Sequence, residues 1–124
     1  MSHTMDQPIA EAALRLVGAV PEKKRTEYKA ACESLGAYLR RSGLARTLAF
    51  LRAKGEAQGL LAEHLEEQFR GLVLPPKIDL MSAHLAANLD VYRVHVEVAQ
   101  RIALWHKRMA QSLIRDKSGA GETV

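Results

Sequence analysis

Apolar residues recur every three or four positions through most of the chain, which is the spacing of amphipathic helices that pack against a core. The clearest run extends from Tyr28 to Leu39. Gly43 follows it, at a position where many helices end in left-handed backbone that favours glycine. The apolar residues after this glycine predict a shorter helix that ends near Gly55.

Prolines and capping residues set other predicted boundaries. Pro8 suits a first helical position, with Asp6 or Gln7 as the cap, because proline has no backbone N–H to lose there. Pro21 ends that helix and is placed to start the next. Leucines and a phenylalanine between Leu60 and Leu72 mark another helix.

Two more helices are predicted after the proline pair at residues 75–76. Asp79 is placed to cap a short helix through Leu85, and Asp90 to cap a long one that reaches Lys117. No segment shows the sustained two-residue alternation of a β-strand. We therefore predict an all-α fold, a compact bundle of five to six helices with a long C-terminal helix.

The helical pattern covers residues 6–117, which are predicted to form one domain, whereas residues 1–5 and 118–124 are predicted to be disordered. A chain of 124 residues can bury enough surface to fold without a metal or a disulfide. Cys32 is the only cysteine, which favours a reducing compartment. The chain shows no secretory signal and no apolar run of membrane-spanning length, so we expect a cytoplasmic protein without a membrane partner.

The last helix has two contrasting sides when its residues are placed at helical intervals. One side is apolar and is predicted to face the core; it consists of Val91, Val94, Val98, Ile102, Trp105, Met109 and Leu113. The other side is basic, with Arg93, Arg101, Arg108 and Arg115, and Lys107 flanks it. Such a side is either a solvated surface or a contact for an anionic partner such as a phosphate backbone.

A second group of cations surrounds Gly43, and the chain carries 18 Lys and Arg against 14 Asp and Glu. Its members are Arg40, Arg41, Arg46, Arg52 and Lys54. A helix, a glycine turn and a second helix with arginines on both sides could form a helix-turn-helix DNA reader. The simpler interpretation is a corner between packed helices, because the second helix offers few polar side chains for reading bases.

The sequence lacks the residue patterns of common catalytic sites. It has no P-loop, no H-E-x-x-H motif and no Glu-x-x-His repeat of a di-iron bundle. His95 and His106 share a face but stand about 16 Å apart along a helix, too far to share one metal. Cys32 lies on an apolar stripe and is interpreted as a small buried residue. We expect no catalytic residue, no metal and no cofactor.

Two segments resemble a known family. They are YLRRSGLARTLAFLRAKG, from Tyr38 to Gly55, and YRVHVEVAQRIALWHKRMAQSLI, from Tyr92 to Ile114. Together they are similar to the small helical subunit of the Cmr complex, the type III-B CRISPR RNA-guided effector. The shared features are the glycine-leucine turn with a following phenylalanine and lysine, and a tyrosine followed later by a tryptophan and a basic pair. Val96 and Val98 depart from the family pattern.

The resemblance implies a non-catalytic subunit that takes part in antiviral defence. Copies of such a subunit stack into an inner filament, beside the backbone and large Cmr subunits, and help line the groove where guide and target RNA pair. Seven cations are the predicted contacts to the RNA backbone: Arg40, Arg41, Arg46, Lys54, Arg101, Lys107 and Arg108. The alternatives are a helix-turn-helix DNA-binding regulator and a structural adaptor whose basic faces meet acidic protein surfaces.

Overall fold

A computed structural model describes the backbone of residues 2–115 and the side chains of residues 6–115. Its elements are α1 (Ser2–Gly18), a 3-10 turn (Glu22–Lys24), α2 (Arg25–Lys54), α3 (Glu56–Arg70), α4 (Leu80–Leu85) and α5 (Leu89–Leu113). No strand occurs within this range, so the prediction of an all-α bundle with a long last helix is confirmed. The predicted disorder of residues 118–124 lies outside the described part of the chain, and that of residues 1–5 remains a prediction.

The longest helix, α2, lies at the centre of the bundle, packed against α3 on one side and α5 on another, while α1 packs on α5. Several large side chains of α2, α3 and α5 have no solvent-exposed surface: Tyr28, Leu48, Leu65, Phe69 and Ile102. All of them belong to one cluster of buried residues, so the three helices share a single hydrophobic core.

The first helix begins earlier than predicted. Pro8 lies inside α1, which starts at Ser2, and Asp6 is a helical residue that pairs with Arg101. A proline this close to the start of a helix removes only one backbone hydrogen bond, in a region where the first four N–H groups have no partner within the helix. Ile9, fully buried in the core, then holds the helix beyond the proline.

Capping residues begin both C-terminal helices. The Asp79 carboxylate accepts a hydrogen bond from the Ser82 amide at 3.0 Å, as predicted. At α5, however, the cap is Asn88, whose side-chain oxygen accepts from the Val91 amide at 2.9 Å. Asp90 instead lies in the first turn, where a carboxylate still favours the positive helix end. The helix ends at Leu113, before the predicted Lys117.

Gly43 kinks α2. Its φ of 84° is positive, as predicted for a helix end, but its ψ of 169° is extended rather than left-handed helical. This combination is essentially restricted to glycine. Helical structure resumes at the next residue, and the Thr47 hydroxyl donates to the Gly43 carbonyl at 2.6 Å. The separation into two helices is therefore a one-residue kink, without the three- or four-residue turn of a helix-turn-helix.

The buried face of α5 is rotated from the predicted one. Val91, Val94 and Leu113 are 40–44% exposed, and Trp105 and Met109 are only partly buried. The buried residues are His95, Val98, Ala99, Ile102, Ala103, His106 and Ala110. The predicted side contained no histidine and no alanine, but both histidines have buried partners and the small alanines allow neighbouring helices to approach.

Hydrogen bonds satisfy His106 at both ring nitrogens. The Gln68 amide nitrogen lies 3.2 Å from Nε2 of His106 and also donates to the Ile9 carbonyl. The Tyr28 hydroxyl lies 3.1 Å from Nδ1 of His106 and 2.7 Å from Nδ1 of His64. A neutral His106 that accepts from Gln68 and donates to Tyr28, which then donates to His64, satisfies every group in this chain.

A second buried pair joins α4 to α5. Nδ1 of His84 and Nδ1 of His95 are 3.0 Å apart, so one ring must donate its proton to the other. The rings of Tyr92 and Phe69 cover them, stacked on His84 and edge-on to His95. Burial lowers the pKa of both histidines, and the proximity of His95 lowers the pKa of His84 further.

Replacing Gly43 by alanine is expected to lower the free energy of unfolding by about 1–3 kcal/mol, because any side chain is strained at this backbone conformation. Gly59 offers the control, since it lies inside α3 with open space around it. Gly59→Ala should stabilise the protein by about 0.5–1 kcal/mol. Urea unfolding measures both changes, and a neutral Gly43→Ala variant would show that the kink carries no strain.

The protein is expected to lose stability as the pH falls from about 6.5, the ordinary histidine value. Burial lowers the pKa of His106 to about 3, with the nearby His64 adding to the shift. Between these values the unfolded chain binds a proton at His106 that the folded chain excludes, so the folded state is favoured above this range and weakened within it.

His106→Gln should therefore reduce the dependence of unfolding free energy on pH by up to about 1.4 kcal/mol per pH unit in that window. Lys107→Gln, at the adjacent exposed position, serves as the control and should leave the slope unchanged. Equal slopes in all three proteins would contradict the assignment to His106.

Candidate nucleic-acid interface

The first half of α2 and the middle of α5 enclose an open groove of about 610 Å³. The amide of Gln100 on α5 donates to the Gly36 carbonyl of α2 at 3.3 Å and joins the two walls. Three of the predicted contacts, Arg40, Arg101 and Lys107, line this groove, although they lie on different helices. Glu33 and Glu97 also line it, so the groove is basic overall but contains both signs of charge.

Arg101 is occupied by two carboxylates. It contacts Asp6 of α1 at 2.9 Å and Glu97, one turn earlier on α5, at 3.0 Å. These hydrogen bonds raise the pKa of Arg101, Glu97 contributing more than Asp6. Arg101, which the sequence suggested as a phosphate contact, therefore joins α1 to α5. A phosphate would have to displace both carboxylates to bind it.

Arg40 and Lys107 are different. Both are exposed, and within the described part of the chain neither forms an ion pair with a carboxylate. They face the same groove from opposite walls. A charge that is exposed and unpaired can attract an anion without losing an existing partner.

Two aromatic rings meet across the kink of α2. Tyr38, before Gly43, stacks on Phe50, after it, with ring centroids 4.6 Å apart. The guanidinium of Arg41 lies 5.3 Å from the centre of the Tyr38 ring, and the ammonium of Lys54 lies 5.3 Å from that of Phe50. Both cations are thereby held in cation–π contacts, in which the negative ring face attracts the charge.

The remaining predicted residues are more isolated. The guanidinium of Arg108 lies 5.1 Å from the centre of the Trp105 ring, on α5. Arg46 is exposed on the second half of α2. Neither lines the groove, and the structure does not bring either together with the groove residues.

Because Arg40 and Arg41 are consecutive, the groove and the aromatic stack are neighbours. We use the name basic band for Lys107, Arg40 and Arg41, which together extend from the groove wall on α5 to the last turn of α2 before the kink. Sequence reasoning found these cations but not Tyr38, Phe50 or Gln100. A tyrosine and a phenylalanine separated by a glycine turn, each followed by a cation three or four residues later, were the available signal.

Cys32 and the histidines at positions 64, 84, 95 and 106 are buried in the core. Burial raises the pKa of the Cys32 thiol to about 12, which keeps it protonated and confirms its interpretation as a buried residue. The described residues contain no cluster of three or more His, Cys, Asp or Glu side chains that could hold a metal ion. Within the same part of the chain, no helix combines the length and hydrophobicity of a membrane span.

Comparison with known proteins adds two findings. The family described as CRISPR-associated protein (Cas_Cmr5) matches residues 5–113. The crystal structure of a CRISPR-associated Cmr5 family protein from Thermus thermophilus is 30% identical, with a TM-score of 0.76, and the match covers 90% of this chain and 98% of that one. No curated protein matches the chain.

The fold and these matches define a small, all-helical CRISPR-associated protein. The chain belongs to the Cmr5 family, which is the small subunit of the Cmr (type III-B CRISPR) complex. The resemblance seen in the sequence is thus confirmed, and other Cmr subunits are its partners.

The ion pair between Arg101 and Asp6 is expected to stabilise the protein. Arg101→Gln and Asp6→Asn should each lower the unfolding free energy, because the first leaves Asp6 half-buried without its partner and the second leaves Arg101 with Glu97 alone. The double variant should lose less than the sum of the two, which is the sign of direct coupling. Urea unfolding of the four proteins measures this.

The exposed pair Arg15 and Glu67 provides a matched control, since it also joins two helices, at 3.3 Å. Its coupling should be close to zero, as for most solvent-exposed pairs. Additive losses at Arg101 and Asp6 would show that the pair does not fasten α1 to α5.

Proposed function

We propose that this protein is a non-catalytic scaffold subunit of the type III-B effector, and that its basic band lies against the backbone of the paired guide and target RNA. In this proposal, copies of the subunit stack into an inner filament that helps line the RNA groove during antiviral defence. The observation that supports it most is that Lys107 and Arg40, which line one groove, and Arg41, the next residue of α2, are exposed and unpaired with carboxylates among the described residues.

The chemistry of the band suits positioning of a phosphate backbone. Arginine side chains can contact phosphate oxygens through two N–H groups, and lysine provides a compact additional charge. Backbone contacts of this kind set the register of a nucleic acid but do not read its sequence. A double-stranded RNA is recognised mainly through its shape and backbone, which agrees with a subunit that must accept any guide.

The non-catalytic part of the proposal rests on where the reactive groups lie. His64, His84, His95 and His106 are at most 8% exposed, and burial lowers the pKa of each of them. Each has a ring hydrogen-bonded to another core side chain. These histidines therefore serve the core, and none of the four lines the groove.

A protein-binding adaptor is the second candidate, and one observation favours it. Glu33 and Glu97 line the groove together with the cations, so the groove has the mixed charges of many protein interfaces. An acidic helix of another Cmr subunit would then occupy it. Salt-dependent binding of a guide–target duplex would indicate an RNA contact, whereas loss of assembly into the complex would indicate a protein contact.

Neutralising Arg40 and Lys107 together, as Arg40→Gln with Lys107→Gln, should weaken RNA binding by the assembled complex. The slope of log affinity against log salt should become shallower by about 1.5, because two phosphate contacts are lost. Fluorescence anisotropy of a labelled guide–target duplex, measured across a range of salt concentrations, gives this slope.

Arg15→Gln with Lys23→Gln is the matched control, since it removes the same charge from α1 and the 3-10 turn, outside the groove. The control should keep the original slope. An unchanged slope in the Arg40 and Lys107 variant would exclude the band as an RNA contact. Failure of that variant to enter the complex at all would favour the adaptor.

A further inference from the structure

A second, smaller cleft lies at the kink, between the two halves of α2 and the start of α3. Its volume is about 210 Å³, which is below the range of small-molecule sites and fits one or two side chains. Ala30, Ala31, Leu35 and Leu51 give it an aliphatic lining. We call it the kink cleft.

Two of the polar side chains that line the kink cleft already have hydrogen-bond partners inside the protein. The Ser34 hydroxyl bonds to the carbonyls of Ala30 and Ala31, each at 3.3 Å, and the Thr47 hydroxyl bonds to that of Gly43. Lys54 and Gln58 also line the cleft, and among the described residues neither has a hydrogen-bond or ion-pair partner. The cleft therefore suits an apolar group accompanied by a negative charge.

The aromatic rings at the cleft argue against a nucleobase. Tyr38 and Phe50 stack on each other, and the cations Arg41 and Lys54 lie against them. A base needs an open ring face for stacking, and this arrangement leaves little of one. An aliphatic side chain needs only the alanine and leucine lining.

A group of the required kind is found elsewhere on the same chain. Leu85, at the end of α4, is 70% exposed and Leu89, at the start of α5, is 61% exposed, the two highest values among the large apolar side chains that the structure describes. Asp90 follows directly, and within residues 2–115 no carboxylate–cation pair involves it. We call Leu85, Leu89 and Asp90 the leucine corner.

The helix that leads to the leucine corner, α4, begins on a different flank of the second half of α2 from the kink cleft. Arg52 points toward α4, since its guanidinium lies 3.8 Å from the Asp79 carboxylate. Phe50 and Lys54 are each two residues from Arg52, so they project about 200° away around the helix. A corner cannot reach the cleft of its own chain in this arrangement, but it can reach that of another copy.

From this complementarity we infer that the kink cleft is the docking site for the leucine corner of a second copy, with Lys54 meeting Asp90. The inference rests on the proposed function, because it specifies how copies stack there. Two different surfaces meet in this contact, so each bound copy still offers a free cleft or a free corner. Such a head-to-tail contact extends into a row.

Disulfide trapping in the full-length protein tests the contact even if it is weak in solution. Leu85→Cys in one copy and Gln58→Cys in another should form a mixed disulfide when the two proteins are combined under mild oxidation. A chain that carries both changes should form a ladder of oligomers. Buried Cys32 stays in both proteins, since it has no exposed surface.

Glu63→Cys is the matched control for Gln58→Cys, because it is exposed on the same helix but outside the cleft. It should trap far less of the Leu85→Cys partner. Equal trapping at both positions would overturn the inference, and circular dichroism of each variant verifies that it is folded.

Exchange of charges identifies the paired residues. Lys54→Glu on the cleft-bearing copy should slow trapping about fivefold, and Asp90→Lys on the corner-bearing copy should restore it. If neither change alters the rate of trapping, Lys54 and Asp90 do not meet in the contact. If a short RNA blocks trapping and photo-crosslinks to the kink cleft, the inference is overturned, because the occupant of the cleft is then a nucleobase.

The two proposals fail separately. Arg40→Gln with Lys107→Gln leaves the kink cleft intact and should not affect trapping. Normal trapping with an unchanged salt slope would refute the RNA contact alone. The opposite result would refute the docking contact alone. In that case the Arg40 and Lys107 variant loses RNA binding as expected, but Leu85→Cys is not trapped specifically by Gln58→Cys.

Discussion

The backbone conformation of Gly43 sets the arrangement of the surface around the middle of α2. Its positive φ and extended ψ interrupt α2 for a single residue, and the two halves remain in contact. The kink stacks Tyr38 on Phe50 and leaves the kink cleft between the halves. The last residue of α2 that lines the groove with α5 is Arg40, three positions before the kink. A straight helix would separate Tyr38 and Phe50 by about 18 Å along its axis.

Buried hydrogen bonds complement this constraint in the core. Tyr28, His64, Gln68 and His106 join α2, α3 and α5, while His84 and His95 join α4 to α5. Polar groups of this kind are costly unless each finds a partner of the correct type, so they favour one relative placement of the helices over others. The alanines on α5 are too small to fix the position of a neighbouring helix by their shape. The hydrogen bonds of the histidines fix that position instead.

Local patterns in the sequence predicted the features that depend on local chemistry. The helical spacing, the cap at Asp79 and the positive φ at Gly43 each depend on a few consecutive residues. The predicted start of α5 was wrong by two residues, because asparagine and aspartate cap equally well and Asn88 and Asp90 are both available. The family resemblance was also visible in the sequence, since it rested on two continuous segments.

Features that depend on distant residues were not predictable in this way. The sequence suggests Arg101 as a free cation, but Asp6 lies 95 positions away along the chain and only the fold brings it close. The predicted buried face of α5 was wrong because histidine is polar in water yet suits a core that offers it hydrogen-bond partners. Arg40 and Lys107 are recognisable separately, and their shared groove requires the packing of α2 against α5.

Trp105 gives the protein a built-in optical reporter. It is the only tryptophan of the chain, and the guanidinium of Arg108 lies over its ring at 5.1 Å. Indole emission depends on the charges that surround the ring, so movement of Arg108 toward a phosphate would alter the fluorescence of an unlabelled subunit. The aromatic residue that the sequence assigned to the core thus provides a spectroscopic view of the basic side of α5.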